Sequence, residues 1–242
     1  MKFEKQKHIR FLIRSLFTLM FLIIAIQLSF GQNRRQVADF KVIRKSIDSL
    51  LIIPTYVDIK AIDSDNLILG DTLFAKESSD KISRDIKSLL DNKYVIQLSK
   101  GNYKLSPELE TDLRDLYGEI SESEKTISNI SIPNTIIALV KNSKQRYCVL
   151  NFYGGHYKTK ARIKQEEKEL LPKSIGVAIL TLGSVYLTPA SGNLSIMKTI
   201  LFDKIDRKLI FYKESSIAGS NPRSYVNIEN YISSNFKPLY YK

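Results

Sequence analysis

From residue 45 onward, short runs rich in β-branched residues alternate with stretches whose apolar residues recur every three or four positions, and the last third turns to consecutive strands. That order admits few solutions, and the best is an α/β fold: a single mixed sheet with flanking helices. Leu50 to Ile53, followed by Tyr56, Val57 and Ile59, reads as the first strand, with Pro54 marking an edge or a bulge. After a polar connector from Asp63 to Gly70, Ile82, Ile86, Leu89 and Leu90 form the stripe of a helix clear from Ser79 and starting as early as Asp71. Tyr94 to Leu98 is a second strand. Ser106-Pro107-Glu108 opens the next helix, with a capping hydroxyl, a proline where no N–H is needed, and an acid near the positive dipole end. Glu119 to Asn129 reads as a polar loop, and Pro133 opens another helix. Arg146 to Tyr153 is the third strand, which Gly154-Gly155 is expected to end in a tight turn.

Lys158 to Leu171 suits a solvated helix, and the apolar run Ile175 to Thr188 reads as a strand centred near Ile179. Ser195 to Phe202 and Leu209 to Tyr212 form a hairpin across Asp203 to Lys208. Ser215 to Pro222 reads as a loop, and a last helix from Arg223 is expected to stop at Pro238. Residues 45–242 therefore read as one domain. Residues 32–44 precede it as an N-terminal extension, with Val37, Phe40, Ile43 and Ile47 at roughly helical spacing.

The N-terminus has its own pattern. Lys2, Lys5, Lys7, Arg10 and Arg14 precede the uncharged segment from Ser15 to Ile26, which closes on Gln27-Leu-Ser-Phe-Gly-Gln32. A basic end, a short apolar core and small residues are the layout of a cleavable secretory signal over residues 1–31, leaving Gln32 as the new terminus. An uncleaved anchor is the alternative, but a spanning helix needs about 20 apolar residues. The single cysteine, Cys148, lies far from any lipid-attachment position. The expected location is periplasmic or associated with the outer membrane, with secretion as the alternative and no transmembrane span after cleavage.

Charge narrows the partners. The first 31 residues hold five of the 37 Lys and Arg and one of the 25 Asp and Glu, so the remainder carries a net charge of +8. For an exported chain, a basic balance favours solubility and contact with anionic envelope polymers or headgroups over nucleic acid. One cysteine makes no internal disulfide, so packing must supply the stability. Alternation puts Cys148, Leu150 and Phe152 on one side of a strand, where a free thiol behaves as a small hydrophobe.

The strand from Leu50 to Ile59, the helix from Ser79 to Leu90, the strand from Tyr94 to Leu98 and the hairpin Leu201-Phe-Asp203-Lys-Ile-Asp206-Arg-Lys208-Leu-Ile-Phe211 together resemble a group of bacterial envelope proteins. The group comprises the periplasmic domain of the curli-type secretion channel, the amino-terminal domain of TolB and related small lipoproteins. The resemblance covers most of residues 45–214 and implies a periplasmic fold that binds partners. Pore formation is not carried over, because the chain lacks hairpin arms of the alternating kind that a barrel strand needs.

No motif for zinc, phosphate-loop or nucleotide chemistry occurs, so neither metal nor cofactor is expected. Ser78-Ser-Asp-Lys81 matches a four-residue catalytic pattern without its partner motifs. The best ligand-binding candidates are His156, Lys158, Lys160, Arg162 and Lys164, a histidine and four cations spaced two apart after Gly154-Gly155. An ordinary solvated loop and helix is the competing account of the same stretch. The sequence thus points to a non-enzymatic envelope component that binds an envelope protein or an anionic envelope polymer. Binding of anionic glycan or lipid headgroups is the alternative, and hydrolysis of envelope polymers the more distant one.

Overall fold

The apolar runs build one sheet. In the computed structural model, which describes residues 30–65, 68–99, 106–123, 127–180 and 192–240, its strands are β1 (Phe30–Gln36), β2 (Ser49–Ile52), β3 (Tyr56–Ile62), β4 (Ile68–Gly70), β5 (Val95–Leu98), β6 (Tyr147–Lys158), β7 (Leu194–Asp203) and β8 (Lys208–Ala218). The order is β1-β8-β7-β6-β2-β5, with β3 beside β6 and β4 beside β3. β6 runs parallel to β2 and β3 and antiparallel to β7, and β7 pairs antiparallel with β8. The sheet is therefore mixed and the fold α/β.

Pro54 falls between β2 and β3, which follow one another along β6. Proline has no N–H for the ladder, so pairing lapses there. Buried Thr55 is satisfied from a helix instead: its N–H donates to Ser83 Oγ at 3.2 Å and its carbonyl accepts from Ser79 Oγ at 2.6 Å.

The described helices are α1 (Phe40–Ser46), α2 (Thr72–Leu90), α3 (Pro107–Glu122), α4 (Asn134–Val140), α5 (Lys160–Leu180) and α6 (Tyr225–Tyr240). Helix α2 takes the earlier of its two expected starts, with Asp71 accepting from the N–H of Phe74. Ser106 caps α3 by accepting from the N–H of Leu109. Helices α2 and α6 pack together on one face of the sheet. There Asn235 of α6 bonds Thr199 of β7 and Ser215 of β8, and Tyr231 bonds Ser195. The opposite face meets α3 through Tyr117, which packs against Phe152 and Tyr212. Cys148 is buried on that side, and burial pushes its thiol up to about 12.

Several expectations need correction. Gly154-Gly155 does not end β6, which continues to Lys158. A Cβ at Gly155, where φ is +155°, would lie 2.0 Å from the Leu194 carbonyl oxygen, so the glycine permits close approach of β7 rather than a turn. Residues Ile175 to Leu180 are helical, continuing α5, and not a strand around Ile179. A short apolar run fits either state, and here the preceding helix propagates through it. The rest of that run, residues 181–188, lies outside the described residues, as do residues 1–29 of the expected signal segment.

Ser215 to Ala218 belongs to β8 and not to a loop. Pro238 lies inside α6. Its missing N–H leaves the Ser234 carbonyl without its helical donor, and Lys213 Nζ supplies one at 2.8 Å. Residues 30–36 form a strand that the sequence reading missed. Val37 and Phe40, read as part of an extension, are buried, and Phe40 stacks on Phe211 with centroids 5.2 Å apart.

Candidate functional site

Side chains alternate along each strand, so register decides which ones meet on a face. Pairing across β3, β6, β7 and β8 sets three rows on the face that meets α3. The first is Tyr56, Phe152, Lys198 and Glu214; the second Asp58, Gly154, Ile196 and Ser216; the third Lys60, His156, Leu194 and Ala218.

Gly154 shapes the middle of this face. A Cβ there would lie 2.7 and 2.8 Å from two ring carbons of Phe152, so the ring leans across the glycine. Tyr117 of α3 holds it from one side, with centroids 6.5 Å apart and planes tilted by 58°. Lys198 Nζ sits 4.3 Å from the centre of the Tyr117 ring and 3.7 Å from a Glu214 carboxylate oxygen. The Tyr212 hydroxyl donates to the same carboxylate. Burial first, and then Glu214, push that hydroxyl far above the ordinary phenol range. On the β3 side, Lys60 and Asp58 pair at 3.3 Å with both side chains about half exposed.

Beyond the third row, β6 delivers the chain to α5. The Lys158 N–H donates to Asn193 Oδ1 at 3.1 Å, and Thr159 Oγ1 accepts from the Arg162 N–H at 3.2 Å. Lys158 Nζ and Arg162 Nε grip the two oxygens of Glu166 at 2.7 and 2.8 Å. The hydrogen bond from Lys158 holds the Glu166 carboxyl below its ordinary value; burial opposes the shift, and the bond from Arg162 adds to it. All three side chains are largely shielded, at 15%, 20% and 14% exposure for Lys158, Arg162 and Glu166. Such a clasp fastens the helix to the end of the sheet.

The five residues singled out in the sequence thus take three positions. His156 lies on the sheet face, between Lys60 and Leu194. Lys158 and Arg162 converge on Glu166. Lys160 and Lys164 are exposed and one turn apart on α5. The four cations do not form a single face. Sequence reasoning missed Asp58, Lys60, Phe152, Lys198 and Glu214. Read outward from the 203–208 turn, a regular hairpin would set Lys198 opposite Lys213; a bulge between Leu201 and Phe202 moves it to Glu214, and the other juxtapositions need the pairing of β6 with β7 and of β3 with β6.

A second feature lies at the far end of β7 and β8. A cavity of about 410 Å³ there is lined by Val37, Asp39, Ile43, Arg146, Tyr147 and Asp206 among others. Arg146 donates to Asp203 at 2.6 Å and to Asp206 at 2.7 Å, and Asp203 accepts from the N–H groups of Ile205 and Asp206. These charges in the 203–208 turn, which carried the family resemblance, hold the turn together. Among the described residues there is no group of His, Cys, Asp and Glu able to hold a metal, and no helix long and apolar enough to cross a membrane.

No protein-family model and no curated sequence matches the chain. Among solved structures, it is similar to the PelC dodecamer from Paraburkholderia phytofirmans, with 8% identity and a TM-score of 0.39 over 88% of this chain and 99% of that one. It is also similar to the LpoB C-terminal domain from Salmonella enterica, with 10% identity and a TM-score of 0.28 over 74% and 92% of the two chains. Lipoprotein GNA1162 from Neisseria meningitidis gives 9% identity and a TM-score of 0.32 over 79% and 97%.

Proposed function

We propose that the chain is exported and serves as a non-enzymatic binding or assembly component of the bacterial cell envelope, at the periplasmic side of the outer membrane. Export rests on the basic, apolar and small-residue order of residues 1–31. Binding rests on one observation: side chains at the end of β6 and the start of α5 are fixed by opposite charges, a clasp of two cations on one carboxylate, while Lys160 and Lys164 are presented to solvent on the other side of α5. That clasp keeps a net positive charge, so the exposed lysines stand in a positive local field. The same observation favours anionic glycan or lipid headgroups as the ligand.

Two measurements test this reading. Protein recovered from envelope fractions is expected to begin at or near Gln32 by mass spectrometry; an intact Met1 in that fraction overturns cleavage, and recovery from the cytoplasm overturns export. Co-sedimentation with anionic outer-membrane lipid vesicles or peptidoglycan should weaken with salt, as the Debye length falls from about 10 Å at 0.1 M to about 3 Å at 1 M. A cation near an anionic surface contributes about 1 kcal/mol, so K160Q/K164Q should bind at least about tenfold more weakly. Equal binding by both proteins overturns the assignment of these lysines.

A further inference from the structure

The three-row face is built differently from the lysine pair on α5, and its chemistry selects a different ligand. We infer that it is a saccharide-binding platform, with the Phe152 ring as the surface against which a sugar ring lies and Lys198, Glu214, Asp58 and Lys60 as the groups that meet its hydroxyls. A pyranose has an apolar C–H face and a rim of hydroxyls, each both donor and acceptor. Phe152 supplies a half-buried aromatic ring, whose tip lies over Gly154 because that residue has no side chain to displace it. Ile196, opposite Gly154 on β7, extends the apolar floor.

The flanking charges come in opposed pairs with capacity to spare. Lys198 and Glu214 stand 3.7 Å apart and Lys60 and Asp58 3.3 Å apart, wider than the roughly 2.7–2.9 Å of a tight charge-assisted bond. An ammonium has three donors and a carboxylate about four acceptor sites, so each pair can hydrogen-bond a hydroxyl without breaking. The two pairs sum to zero charge. A polyanion gains little from such a field, whereas a neutral, hydroxyl-rich ring gains a donor and an acceptor on both sides of an apolar floor.

The inference rests on the binding reading above and gives it a second, separable site. The experiment is calorimetric titration of the full chain with maltohexaose and with chitohexaose, beside F152L and K198M. At least one hexaose is expected to bind with a Kd of about 0.1–5 mM, with little change between about 0.1 M and 1 M salt. F152L keeps an apolar side chain but loses the ring, and K198M keeps the stem but loses the donors. Each should weaken binding at least about tenfold with its melting temperature close to that of the unaltered protein. If F152L does not fold, K198M decides. Absence of binding at about 10 mM of either hexaose, binding that disappears at high salt, or unchanged binding by the folded variants overturns the platform. Should saccharide binding fail while K160Q/K164Q still loses its envelope ligand, only the platform falls. Should both fail, the binding reading falls with it.

Discussion

Gly154 and Gly155 stand side by side on β6 and need their missing side chains for different reasons. A methyl group on Gly154 would meet the tip of the Phe152 ring, which can swing aside; one on Gly155 would meet the Leu194 backbone at 2.0 Å, which cannot move without parting β6 from β7. Gly154→Ala should therefore cost about 1–2 kcal/mol and Gly155→Ala at least about 3 kcal/mol, read from urea midpoints. Equal costs would mean that the two strands do not approach so closely. Glu166 gives a pH prediction at the same scale. Its folded carboxyl lies below the ordinary 4.5, so its stabilising effect is complete above that value and is lost as pH falls through the lowered one. Glu166→Gln should lower the melting temperature by about 2–6 °C at neutral pH. The difference between the two proteins should shrink towards zero in acid; a difference independent of pH would show that the clasp does not act through the charged carboxylate.

At the scale of elements, α6 carries a proline in its last turn and survives because a buried lysine from β8 serves the carbonyl that the proline leaves bare. Burial depresses the Lys213 pKa, so its amine is held at a cost that the Ser234 carbonyl and hydroxyl offset. Removing the amine in K213M should leave that carbonyl unsatisfied, whereas K213M/P238A restores a backbone N–H to it. The double variant is thus expected to recover about 1 kcal/mol or more of the loss, measured by a denaturant double-mutant cycle; strict additivity would break the link between the two residues. The sequence could not reveal this, since Lys213 and Pro238 are a strand and a helix apart, and Pro238 read simply as a stop.

Elements with their own periodicity or caps were legible: α2 and α3 from their stripes and caps, and β7–β8 from two apolar arms around a charged turn. β1 was not, because Asn33 to Gln36 is wholly polar and only its place beside β8 makes it a strand. The end of α5 was misread because β-branched apolar residues continue a helix that had begun in charged sequence. Of the sheet-face site, His156 was legible as an isolated functional residue type, but Lys60 comes beside it, and Asp58 and Lys198 join the same face, only through pairing between strands far apart in the chain.

For the molecule as a whole, the question is where its cooperative unit begins. Residues Gln32–Lys242 cluster as one compact unit, and the segment that read as an extension is tied into it at four points. The Val37 N–H bonds the Ile210 carbonyl at 3.1 Å, Phe40 stacks on Phe211, Arg35 reaches the Ser121 carbonyl at the end of α3, and Arg44 donates to the Pro238 carbonyl at the end of α6. Burying Val37 and Phe40 is worth about 1.5–3 kcal/mol each, a large fraction of the roughly 5–15 kcal/mol that holds a whole domain together. We therefore propose that residues 32–44 belong to the folding unit. A chain starting at Gln32 should unfold in a single transition seen alike by circular dichroism and tyrosine fluorescence. A chain starting at Lys45 should melt at least about 8 °C lower or fail to fold. A Lys45 chain as stable as the Gln32 chain would restore the segment to a dispensable extension, and two separate transitions in the Gln32 chain would divide the sheet into units that the register across β6 joins.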